Sequence, residues 1–455
     1  MASVTKDLQA AIAVTRFGLG ARPGEIDAAK GDPQGWLKAQ IRRQGADQPQ
    51  GDLGSIRENF AALDARQQVI RNGAADPAMR REATAPLREG VIDEMLARAR
   101  LAATTPAGFR ERWTLFWANH FTVAAKALQV AAAVGPFERE AIRPNVFGRF
   151  EDLLVASTRH PGMLLYLDQA QSLGPNSQVA TRQRRGGLNE NLAREIMELH
   201  TVGADAGYTQ ADVTEFARAL TGWSIGGQQV PEAQRGAYIY RAAMHEPGER
   251  TIMGRRYGTG GEDQARRVLA DLAGDRRTAR HLARKIAVHF VADDPPAALT
   301  ARLEAAWTTS GGDLSAVAAA LIAAPEAWEP QARKLKTPYE FIVSGYRAAS
   351  VQPRDGQREV AVALTALGQR PWAAPQPNGW SEMAADWAPP DAIVKRLTWA
   401  QAFSNAYAPQ GSPAEIADSV LGARLSPVTR QAVSRAETRP EAFAILLMSP
   451  EFQRR

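Results

Sequence analysis

Residues 189–200 read NENLAREIMELH, and the way this stretch folds decides both the class of the protein and where its chemistry would sit. At about 100° per residue on a helix, Arg194, Glu198, Asn191 and Glu195 fall within roughly 40–140° of Glu190, whereas Leu199, Leu192, Ile196, His200, Ala193 and Met197 fill roughly 180–340°. The spacing predicts an amphipathic helix. His200 lies with the apolar residues, so it shares no face with Glu195, unlike the i, i+4 ligands of a His-Glu-x-x-His helix. A metal site here requires the helix to end before His200.

The polar face has two readings. A solvated ladder of Glu190, Arg194 and Glu198 contributes about 0.2–0.5 kcal/mol per pair. An inward-facing ladder makes Glu195 and Glu198 acid/base groups or hard-metal ligands, with Arg194 holding an anion and Asn191 orienting a substrate. Glycines on both sides of the helix and an aromatic stripe elsewhere favour a specific form of the second. Glu195 is expected to be buried against a histidine or arginine, and Glu190 to remain in water.

Working outward, Thr209-Gln-Ala-Asp212 is a capping box. Val213, Phe216, Ala217 and Leu220 follow at helical spacing, and Gly222 is the stop. Thr337-Pro-Tyr-Glu340 is a second box with proline at the permitted first helical position. Further helices are expected near 6–16, 32–43, 57–71, 87–103, 262–273, 277–291 and 313–323. Residues 72–86 and 170–188 read as loops, the second long and carrying the cationic run Thr181 to Arg185, an exposed loop or a docking patch. Only one region looks β: Tyr238–Arg241 and Arg250–Met253 around His245-Glu-Pro-Gly248 suggest a small hairpin. The fold class expected is therefore all-α, a multi-helix assembly with one hairpin near 238–253.

The chain has 455 residues, 45% of them hydrophobic, enough for a sizeable core. Its 55 basic and 49 acidic residues leave +6, with signs mostly alternating, which gives no support for nucleic-acid binding. Zero cysteines exclude disulfides, thiolate nucleophiles and cysteine-ligated metals. No stretch approaches the ~20 apolar residues of a membrane span, and the start lacks the features of a signal peptide. Cytoplasmic residence is the default expectation, with export alongside a partner left open. P-loop, Gly-x-Ser-x-Gly and dinucleotide fingerprints are absent, and Gly258-Thr-Gly-Gly261 reads as a linker.

Phe109, Trp113, Phe116, Trp117 and His120 share an arc of about 80°, so His120 is either a hydrogen-bonded core histidine or a ligand. His289 shares a face with Leu282 and Ile286 and reads as core. His160, before Pro161, sits extended outside a helix start, where its ring can meet an anion. His245 and His281 are expected to be exposed.

The segment LNENLAREIMELHTVGADAGYTQADVTEFARALTGW (188–223) resembles the signature of the bacterial family catalogued as domain of unknown function 1800. In order along the chain, TRFGLGARPGEI, GWLKAQI, RERWTLFWANHFTV, RHPGMLLYLD, HEPGERTIMG, ARKIAVHFVADDPP, KLKTPYEFI and LMSPEFQRR are similar to it too. The resemblance implies one family-length helical unit over 1–455, with a possible sub-boundary in the loop 170–188. It assigns no activity, cofactor or catalytic residue. It also implies a gene neighbour, an exported protein of the alkaline phosphatase/sulfatase-like superfamily, and so an accessory or partner role. The alternative is a hydrolytic enzyme with Glu195, Glu198, His120 and His160 as acid/base or metal-ligating groups, and Asn191 and Arg194 as ligand contacts. Carboxylate and imidazole donors suit Zn, Mn or Fe, and a metal is an option only. His281 departs from the family pattern, which has an apolar or aromatic residue there, and this weakens any role for it.

Overall fold

A computed structural model describes residues 5–71, 77–183, 187–354, 356 and 358–455. Helix makes up 62% of it, with only two two-stranded antiparallel sheets, so the protein is all-α. The expected helices form as Ile56–Arg71, Ala85–Thr104, Glu262–Gly274, Arg276–Phe290 and Leu314–Ala323, while that expected at 32–43 is shorter, Pro33–Lys38. Both capping boxes close. Thr209 Oγ1 accepts from the Asp212 N–H while Asp212 accepts from the Thr209 N–H, and Thr337 and Glu340 do the same.

The strands near 238 and 250 exist but do not pair with each other. β1 (Trp223–Ile225) pairs with β2 (Tyr238–Tyr240), and β3 (Arg250–Ile252) with β4 (Arg255–Tyr257). Met253 (φ 49°) and Gly254 (φ 79°) supply the tight turn between β3 and β4, whereas the turn expected at His245–Gly248 lies between strands of different sheets. The loop expected at 170–188 carries a helix, Gln178–Gln183, and the stretch 72–86 carries another, Pro77–Glu82. Arg184 and Arg185 of the cationic run, Gly186, and residues 72–76 lie outside the described residues.

Among the described residues, two large hydrophobic cores form beside two small clusters. The first gathers Phe109, Trp113, Trp117, Phe150, Phe216 and Phe290 with their neighbours, and residues on both sides of 170–188 belong to it. The second is built by Pro338–Ala349, Pro390–Tyr407 and Arg439–Met448, with Leu19 and Met95 from earlier in the chain. The Gly108–His120 helix runs along the seam. Trp372 packs against both cores.

Among the described residues, three segments adopt the wider π-helical turn: Ala13–Phe17, Glu138–Ile142 and Ile196–His200. The last lies inside the stretch that opened the sequence reading, so a uniform 100° wheel fails after Glu195. The hydroxyl of Thr201 donates to the Ile196 carbonyl at 2.6 Å and helps close that turn.

Candidate functional site

Among the described residues, His120, His160, Asn191 and Arg194, of the six singled out in the sequence, take separate hydrogen-bond partners. Asn191 is exposed. Arg194 donates to Glu190 Oε2 at 3.2 Å and to Gln210 Oε1 at 2.8 Å. Glu190, expected in water, is the best-bonded member of the ladder, accepting from Thr214 Oγ1 at 2.6 Å and Gln210 Nε2 at 2.7 Å. Glu195 is partly buried but makes no ion pair or hydrogen bond among the described residues; burial, then the Glu198 charge, push its carboxyl up. The expected histidine or arginine partner is therefore missing, while Gln210 and Thr214 of the Gln210–Leu220 helix bond to Glu190. Among the described residues, no group of three or more histidine and carboxylate side chains is placed to hold a metal ion.

His160 caps the Pro161–Tyr166 helix, accepting from the Gly162 N–H at 3.0 Å, and its Nε2 lies 3.3 Å from Glu140. His120 is the hydrogen-bonded core histidine: Lys285 Nζ donates to its Nδ1 at 2.9 Å, and its Nε2–H points to the His200 carbonyl at 3.3 Å. Burial holds Lys285 down to about 8, against the pull of Glu382. His245 and His281 are not exposed as expected. Each is half-buried on a main-chain carbonyl, His245 on Thr221 at 2.9 Å and His281 on Leu199 at 3.3 Å.

A second group of polar side chains gathers at the seam between the cores, around a cleft of about 110 Å³. Its polar wall includes Arg98, Arg112, His289, Tyr339, Glu340 and Glu382, and Trp372 and Trp380 face them. His289 reaches the wall from the Arg276–Phe290 helix, two turns beyond Leu282 on the apolar stripe. Glu382 comes from the segment 380–387, which is pinned three ways. Asn119 exchanges two hydrogen bonds with the Trp380 backbone, 2.9 and 2.8 Å. Asp293 accepts from the Ala384 N–H at 2.8 Å, and the buried Lys334 ammonium bridges Asp293 and the Glu382 carbonyl. Gly379 (φ 84°) lets the chain pass against Asn119, where a Cβ would meet the carbonyl oxygen at 2.4 Å.

His289 Nδ1 and Glu382 Oε1 are 2.8 Å apart. Burial lowers the His289 pKa against the pull of Glu382, while burial alone would raise Glu382, yet His289, Arg455 and Lys334 pull it down to about 2. The contact fits an imidazole donating Nδ1–H to a carboxylate, and in its neutral form such a ring keeps the Nε2 lone pair free. Four buried polar atoms of this wall have no protein partner: His289 Nε2, Glu382 Oε2, Tyr339 OH and Arg112 Nη2. Buried polar groups are normally paired, so four unpartnered atoms on residues that line one cleft make it a candidate site for polar groups from outside the chain.

Sequence reasoning missed this wall. His289 was read as core, Glu340 only as a cap, and Glu382, Arg112 and Tyr339 not at all. The one available signal was a histidine on an otherwise apolar helical stripe. Its partner lies 93 residues away in irregular chain, beyond any periodicity.

Fold and site together define an all-helical protein with a polar cleft between two packed cores. The family described as Protein of unknown function (DUF1800) matches residues 12–454, and the chain belongs to it. No curated protein and no solved structure matches the chain. Among the described residues, no helix is long and apolar enough to cross a membrane.

Proposed function

We propose that the cleft is a hydrolytic active site in which the Glu382–His289 pair is the general base. The observation that carries this reading is the His289 imidazole, fixed at Nδ1 by a carboxylate and unpartnered at Nε2 on the cleft wall. Water held at Nε2 transfers a proton to the imidazole as its oxygen bonds to the carbonyl carbon of an ester or amide. The resulting oxyanion needs hydrogen-bond donors on the cleft wall, which stabilise it as the charge develops. The imidazolium then returns its proton to the leaving oxygen or nitrogen as that bond breaks. Glu382 orients the ring and supports its positive charge during the step. Arg112 is itself held by the Gly18 carbonyl at 2.6 Å and by Glu340, so its free nitrogen has a fixed direction. The test is hydrolysis of a panel of small esters and amides by the full chain, beside His289→Asn and Glu382→Gln. Rates should fall about 10²–10⁴-fold in His289→Asn. Full activity in that variant, or none in the parent chain across the panel, overturns the reading.

A second reading, an accessory partner of a phosphatase/sulfatase-like protein, is supported by a row of exposed apolar side chains. Ile393, Val394 and Leu397 stand on one face of the Pro390–Tyr407 helix, with Met383 beside Glu382 also exposed. Its test is co-purification with that neighbour from the native host. No stoichiometric complex, and an unchanged level and location of the neighbour after deletion, would end it.

A further inference from the structure

Behind the cleft, among the described residues, six buried cations share a single carboxylate at ion-pair distance. Arg16, Arg112, Arg396 and Arg455 are at most 1% exposed, Lys336 is 2% and Arg424 is 9% exposed. Among the described residues, Glu340 is the one carboxylate within ion-pair distance of any of these six cations, and it serves both Arg112 and Arg455. The others rest on neutral groups. Arg16 donates to the Ala327 and Gln331 carbonyls at 2.8 and 2.5 Å. Arg396 donates to Gln453 Oε1 at 2.8 Å and to the Lys336 carbonyl at 2.7 Å, and Arg424 to Thr15 Oγ1 at 2.5 Å. The Lys336 ammonium lies 4.0 Å from the centre of the Phe452 ring. Such acceptors fill N–H groups without cancelling charge, and a guanidinium does not shed its proton inside a protein. Consistent with this crowding, burial first and then Arg424 and Arg455 hold Arg16 down to about 9, and burial, then Arg424, hold Lys336 well below its ordinary value.

One member of this cluster opens on the cleft. Arg112 lines it, and its Nη2 and the Tyr339 hydroxyl are donors without an acceptor. The remaining carboxylates of the wall are already engaged. Glu138 is paired with Arg98 at 2.9 Å and Arg143 at 2.7 Å, and Glu382 holds His289. Glu382 Oε2 and His289 Nε2 are free acceptors, which suit a hydroxyl or other donor rather than a second negative charge.

We propose that the ligand of the cleft carries a single oxyanion group, a carboxylate or phosphate, seated on Arg112 and Tyr339 and neutralising the buried cations behind them, with a hydrogen-bond donor toward Glu382 Oε2 and the His289 Nε2 left to water. This rests on the reading of the cleft as a ligand site, and it names the substrate class as a small anionic ester or amide bearing a hydroxyl or N–H donor.

The experiment uses the full chain, dialysed free of multivalent anions and held at constant ionic strength with chloride. Inorganic phosphate, sulfate and acetate are titrated separately while thermal unfolding and tryptophan fluorescence are followed, since Trp372 and Trp380 face the site. Phosphate or acetate should raise the Tm saturably and change the fluorescence; which of the two binds more tightly separates a phosphate from a carboxylate ligand. Affinity should fall about tenfold or more in Arg112→Gln, the loss of one charge-assisted hydrogen bond. Should that variant not fold, Tyr339→Phe reports on the same seat by a several-fold loss. A parent chain that responds to none of the three anions beyond the chloride control, or that binds them unchanged after Arg112→Gln or Tyr339→Phe, overturns the proposal. Anion binding without ester or amide turnover defeats the hydrolytic reading alone, and turnover without any anion effect defeats this inference alone.

Discussion

Glu340 meets three demands at once. Its carboxylate accepts from the Thr337 N–H at 2.9 Å to close a capping box, pairs with Arg112, and lies 3.0 Å from an Arg455 nitrogen. Burial raises its pKa, yet Arg112 and Arg455 outweigh that and hold it far below the carboxylate range. Glu190 and Glu195 show the same point at the surface, where partners rather than position on a wheel set the role. Glu190 is lowered first by its hydrogen bond from Thr214, whereas Glu195 is raised by burial and by Glu198. Replacing Glu190 by Ala is therefore expected to cost about 1 kcal/mol through lost hydrogen bonds. Glu195→Gln is expected to stay within about 0.5 kcal/mol of the parent. Urea unfolding of the two variants checks the order, and a larger cost for Glu195→Gln would contradict the geometry.

At the scale of elements, the two capping boxes carry the same four-residue pattern in unequal surroundings. Thr209 and Asp212 close theirs at the surface, so Thr209→Ala should cost about 1 kcal/mol. Thr337 closes its box on the buried Glu340, whose orientation also decides whether two guanidiniums stay paired. Thr337→Ala should then cost about 2 kcal/mol or more, a cap plus a disturbed buried ion pair. Equal costs in chemical denaturation would mean that the arginines alone orient Glu340. The π turn at Ile196–His200 belongs to this scale too. Its extra residue per turn rotates everything beyond Glu195, a shift no fixed helical period can anticipate.

For the whole molecule, the histidines set the response to acid. His120, His200, His245, His281 and His289, five of the six in the chain, are all lowered, with burial the largest cause in each; His281 falls to about 4 and His200 to about 3. In the unfolded chain these rings take up protons near pH 6.5, while in the folded protein they stay neutral to well below that. The unfolded state therefore binds more protons, and stability present above pH 6.5 is lost as pH falls toward about 4. The depressed carboxyls of Glu340 and Glu382 act the same way only below their ordinary 4.5. A Tm that starts to fall near pH 6.5, rather than near 4.5, is the expected signature in a calorimetric series from pH 7.5 to 4.5. A flat profile down to pH 5 would show that these rings are solvated.

The sequence by itself determined the helical class, both capping boxes, the core stripe from Phe109 to His120 and the family, because each is written in spacings of a few residues that the backbone's own geometry reads. Tertiary structure alone decided which strand pairs with which, that Glu190 rather than Glu195 finds partners, and that His289 meets Glu382 on a cleft wall. Those outcomes depend on contacts between segments tens to hundreds of residues apart. Arg112 reaches Glu340 across 228 positions, and Arg347 reaches Glu25 across 322. Helical period and cap chemistry act within a turn or two and carry no record of such encounters. The burial that turns ordinary glutamates, histidines and arginines into a charged wall exists only once the two cores have closed on each other.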